Sequence, residues 1–103
     1  MASEYRAAAR AELQSLLQAN ASAVELEEWI ARHFEGLAAY RENDDLVLRN
    51  GAGMYTLVRR IGPDRFRVSE NIAVPSTNLL DEGGGRERDA DALVNELAAF
   101  AEP

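Results

Sequence analysis

Four arginines fall within nine residues of this chain, Arg59, Arg60, Arg65 and Arg67 of the stretch RRIGPDRFR, although the net charge is −7. A guanidinium is a planar, permanently charged fork that grips carboxylates and phosphates. The chemistry it offers is recognition of anions, whether acidic protein or nucleic acid, or else simple hydration. His33 is the only histidine. It offers general-base chemistry if the fold gathers it with Arg59 and Glu70 in a polar pocket; otherwise it is a packed histidine with one satisfied nitrogen. Asp44-Asp45 and Asp81-Glu82 carry oxygen ligands for a hard cation, but neither pair has EF-hand spacing, and solvation of a loop is the simpler reading.

Other chemistry is excluded by inventory. The chain has no cysteine, and all 11 basic residues are arginine. Thiolate nucleophiles, disulfides, Cys-ligated zinc, Schiff-base catalysis and the lysine of a phosphate-binding loop are therefore ruled out. One histidine cannot build a His-rich metal site. The glycine clusters 51–53 and 83–85 lack the strand–loop–helix setting that phosphate binding requires. No cofactor and no metal are expected. The N-terminus MASEYRAAAR carries charges where a signal peptide needs an apolar run, and no apolar segment approaches the roughly 20 residues of a membrane span. The expectation is a cytoplasmic protein with no membrane contact.

The elements that must position these groups follow from periodicity. Residues 4–19 place Tyr5, Ala9, Leu13, Leu16 and Leu17 on one helical face. A second helix starts at Ser22, with Glu25 at capping-box spacing, and carries the stripe Leu26, Trp29, Ile30, His33, Phe34 and Leu37. The period then becomes two. Strands are expected over 46–49, 54–61 and 65–74, joined by turns at Asn50-Gly51 and Gly62-Pro63-Asp64. A flexible Pro/Gly-rich loop over 74–88 leads to a last helix over 89–101. The prediction is a single α+β domain spanning 1–103, of order ααβββα, with a three-stranded antiparallel meander packed against helices.

With Ile61 opposite Phe66, the core face of the sheet collects Leu46, Leu48, Tyr55, Leu57, Ile61, Phe66, Val68 and Ile72, interrupted by an Arg59–Glu70 pair. The second face then carries Val47, Arg49, Met54, Thr56, Val58, Arg60, Arg65, Arg67, Ser69 and Asn71, with Arg60 directly across from Arg67. Like charges in that arrangement need a compensating anion. Charge is also unevenly distributed: residues 1–45 carry nine acids against four arginines, residues 46–74 two against five, and residues 75–103 seven against two.

A basic sheet between acidic ends, with arginine mixed among Met and Val, suits a protein interface. The partner-binding set expected from sequence is therefore Arg49, Met54, Val58, Arg60, Arg65 and Arg67. The face has no aromatic on which bases would stack, and the net charge repels phosphate, which argues against nucleic acid. The functional expectation is a small acidic, non-catalytic protein-binding protein: an inhibitor, an immunity- or antitoxin-like factor, a chaperone or an accessory subunit. Its partner would be another protein, or a second copy in a homodimer. The alternative is a small-molecule binder or enzyme using His33, Arg59 and Glu70.

Overall fold

The computed structural model describes residues 2–102. The side chains of Tyr5 and Asn71 lie outside the described residues. In chain order the elements are α1 (Ala2–Gln18), α2 (Ala23–His33), β1 (Ala38–Glu42), β2 (Asp45–Arg49), β3 (Tyr55–Gly62), β4 (Arg65–Ile72), α3 (Asn78–Asp81), β5 (Arg86–Arg88) and α4 (Ala90–Ala101).

The helix boundaries have local causes. Asn20 has φ 54, and Ala21 N–H donates to the Leu16 carbonyl at 2.9 Å while Asn20 N–H donates to Leu17 at 3.1 Å. This is the paired arrangement that ends a helix through a left-handed residue. Two residues later Ser22 and Glu25 cap α2 reciprocally, each side chain accepting the other's backbone N–H. The chain thus turns a tight corner, and α2 lies back on α1. There Trp29, 1% exposed, donates its Nε1–H to the Ala9 carbonyl at 2.9 Å and meets Phe34 edge-on with ring centres 5.3 Å apart.

The fold is α+β as expected, but the meander has five antiparallel strands in the order β1-β2-β3-β4-β5. The two additional strands form its edges. β1, Ala-Ala-Tyr-Arg-Glu, is mostly exposed, so it carries no apolar alternation to read. β5 is Arg-Glu-Arg and is held by pairing with Phe66–Val68 of β4. The 74–88 stretch expected as one loop therefore contains α3 and β5. Gly85 is required at the entry to β5: its φ is 88, and a Cβ there would sit 2.4 Å from the Val68 carbonyl oxygen. Gly85→Ala should cost about 2 kcal/mol in denaturant unfolding, since it adds a clash to a conformation an L side chain adopts at a cost.

Helices α1, α2 and α4 cover one face of the sheet, burying Leu46, Leu48, Val58, Phe66 and Val68 with Leu13, Trp29, Ile30, Phe34, Leu93 and Leu97. The outer face is partly covered by α3, where Leu80 closes a second small core over Val47 and Leu57, flanked by Tyr55, Ile72 and Leu79. The expected faces are thereby corrected: Thr56 and Val58 move to the helix side, and Tyr55, Leu57 and Ile72 move to the outer side. Leu46 pairs with Val58, and Arg60 rather than Ile61 lies opposite Phe66. Irregularities between Tyr55 and Leu57 and between Arg60 and Gly62 shift the register. The second leaves Ile61 without a cross-strand partner and 41% exposed.

Candidate functional site

The corrected register decides what the arginines meet. Arg59 projects from the outer face of β3 and grips Asp45 of β2 with both ends of its fork, at 2.7 and 2.8 Å. The same guanidinium reaches Asp81 of α3 at 2.7 Å. Asp45 is 5% exposed, and this guanidinium is the cation that faces its carboxylate. Hydrogen bonds that the guanidinium donates to Asp45 and then Asp81 raise the Arg59 pKa further above its already high ordinary value, and the group stays cationic.

Arg60 points the other way, to the helix side. It donates to the carbonyls of Leu17 at 3.3 Å and Ala21 at 3.4 Å, and to Asn20 Oδ1 at 3.2 Å. The Leu17 carbonyl, which also accepts Asn20 N–H, lies in the last turn of α1, where a cation suits the helix dipole. Arg67 donates to the Gly83 carbonyl at 3.3 Å and lies 3.7 Å from Glu87. It is Arg59, not Arg60, that stands directly across from Arg67. That like-charge neighbourhood is compensated on both sides, by Asp45 and Asp81 on one and Glu87 on the other.

The six residues expected to form one binding face are therefore divided. Val58 is 2% exposed beneath the helices, Met54 packs against the same core, and Arg60 holds the end of α1. Arg49 and Arg65 are exposed and Arg67 is half-buried; these three belong to the outer side. The expected polar pocket is not formed either. His33 lies at the α1–α2 contact, where its Nε2 is 2.6 Å from Glu12, and Arg32 pairs with the same carboxylate at 2.8 Å. Arg59 is on the outer face, and Glu70 lines a groove beside Glu96 and Phe100 of α4. Arg59 pairs with Asp45 instead of Glu70, because the register puts Arg59 and Glu70 on opposite faces.

Burial pulls the Glu12 carboxyl up, but hydrogen bonds from Arg32 and His33 outweigh it and hold the pKa below the ordinary value. A carboxyl depressed in the folded state contributes stability above its unfolded pKa and loses it as pH falls through the folded one. Glu12→Gln should therefore lower the thermal midpoint at neutral pH. The gap to wild type should close as pH drops below about 4.3, which a pH series of melting curves would read.

A cleft of about 640 Å³ opens at the α1–α2 corner. Leu26, Leu46 and Phe66 line it, as do Asp45, Arg59 and Asp81. Sequence reading misses this trio, since Asp45 and Asp81 each read as half of a solvated loop pair. Nothing in their spacing signals that α3 folds back over β2. The charges of the trio are already matched to one another. Among the described residues no group of three His, Asp or Glu side chains is placed to hold a metal ion, and no helix is long and apolar enough to cross a membrane. Compared with family models, curated proteins and solved structures, the chain matches none.

Proposed function

We propose that this chain works without catalysis, by binding another protein. The observation that carries the reading is Tyr40, 48% exposed on the outer face of β1, an edge strand. The register sets Ala38 and exposed Arg49 on the same face beside it. An exposed aromatic with a neighbouring arginine has the composition that protein interfaces favour. By contrast, Arg59, Arg60 and Arg67 are engaged internally. The binding surface proposed here is thus narrower than the sequence suggested: Arg49 stays in it, and Met54, Val58 and Arg60 leave it. An inhibitor, an immunity- or antitoxin-like factor, a chaperone or an accessory subunit would each use such a surface. His33, Arg59 and Glu70, lying apart, give little support to an enzyme built on them.

Affinity capture from the native cell extract, read by mass spectrometry, tests the reading. Wild-type bait is expected to retain a discrete protein that a Tyr40→Asp/Arg49→Glu double variant loses while keeping its thermal midpoint. If wild type and the double variant retain the same proteins, the proposal falls.

A further inference from the structure

We infer that the open edge of β1 accepts an extended segment of a basic partner as a sixth, antiparallel strand. The inference rests on the protein-binding reading above and names the chemistry of the partner. β1 pairs with β2 alone, and its five-residue register against β2 runs without a shift. Native edges are usually blunted by bulges, prolines, charge or very short length. β5, the opposite edge, is three charged residues long, whereas β1 is five residues long, has no bulge or proline, and joins Arg41 and Glu42 to two alanines and a tyrosine. Main-chain groups on such an edge are a template for an added strand, with side-chain pockets supplying the selectivity.

The surrounding charge selects the occupant. Residues 23–44, which comprise α2, β1 and the following turn, hold six acids and two arginines. One of those arginines, Arg41, already pairs with Glu27 at 3.4 Å. Glu42 and Asp44 remain exposed. A second copy would bring the same excess of acid against this edge, whereas a basic segment would neutralise it. The faces specify the pattern further. Glu42, Tyr40 and Ala38 alternate onto the outer face. An antiparallel partner therefore presents, in its own direction, a basic residue to Glu42, then an apolar one to Tyr40, then a larger apolar one where Ala38 leaves room, each two residues apart.

Two capped synthetic peptides, TRTVTFT and TETVTFT, test this by titration with hydrogen exchange read at each amide. The arginine peptide is expected to bind more tightly by about fivefold, the scale of exchanging an attractive for a repulsive cross-strand pair. It should slow exchange in residues 38–42, and its binding should weaken between about 0.05 and about 0.5 M salt. Glu42→Arg, a change at an exposed side chain, should invert the preference. Equal binding of both peptides, protection elsewhere than β1, or a wild type that sediments as a dimer protected at β1 would each overturn the inference. A partner still captured from extract by Glu42→Arg as by wild type would overturn the basic-strand chemistry and leave the protein-binding reading standing. Loss of all capture by wild type would instead strike that reading itself.

Discussion

Trp29→Ala is expected to destabilise the fold by about 3–5 kcal/mol, the cost of emptying a large buried aromatic site. The residue is 1% exposed, and its ring joins α1, α2 and the sheet-facing core. The substitution also removes the indole N–H that the Ala9 carbonyl of α1 accepts. Trp29→Phe should recover much of the packing but not the hydrogen bond, and so fall between wild type and the alanine variant in a chemical-denaturation series. A loss below about 1 kcal/mol for the alanine variant would contradict the placement of α2 on α1.

Arg59→Met is expected to cost about 3 kcal/mol, because it leaves Asp45 buried and charged without a partner. Asp45→Leu in the same background should restore much of that loss, since the desolvated charge is then gone. Measured as a double-mutant cycle, Arg59 and Asp45 should couple strongly, while Arg59 and Glu70 should be additive. Coupling to Glu70 instead would restore the strand register that the structure replaces.

These two sites differ in how far the sequence reveals them. The helices are readable because each buries a single stripe against solvent on its far side. Leu26, Trp29, Ile30 and Phe34 recur at helical spacing, and the Ser22–Glu25 box marks a start that the structure reproduces. In β3, Thr56, Leu57 and Val58 are all buried, because helices cover one face and α3 the other. Alternation cannot assign faces in a strand buried on both sides. The register then rests on the turn alone, and one extra residue at Ile61 reverses the assignment of Val58 and Arg60. β1 and β5 are hidden for the opposite reason: they bury too little to leave a pattern. The Asp45–Arg59–Asp81 constellation joins residues 14 and 22 positions away from its arginine, through a four-residue helix that no periodicity announces.

This difference bears on function, since the arginines most conspicuous in the sequence are largely structural, and the surface proposed for binding lies on a strand the sequence does not reveal. The most direct measurement replaces Tyr40 with a photo-crosslinking phenylalanine analogue in the native cell. A discrete covalent adduct with a second, different polypeptide is expected on illumination, with its attachment mapping to an extended basic segment. Illumination that yields no adduct at position 40, from a variant that folds and accumulates as wild type does, would contradict the account.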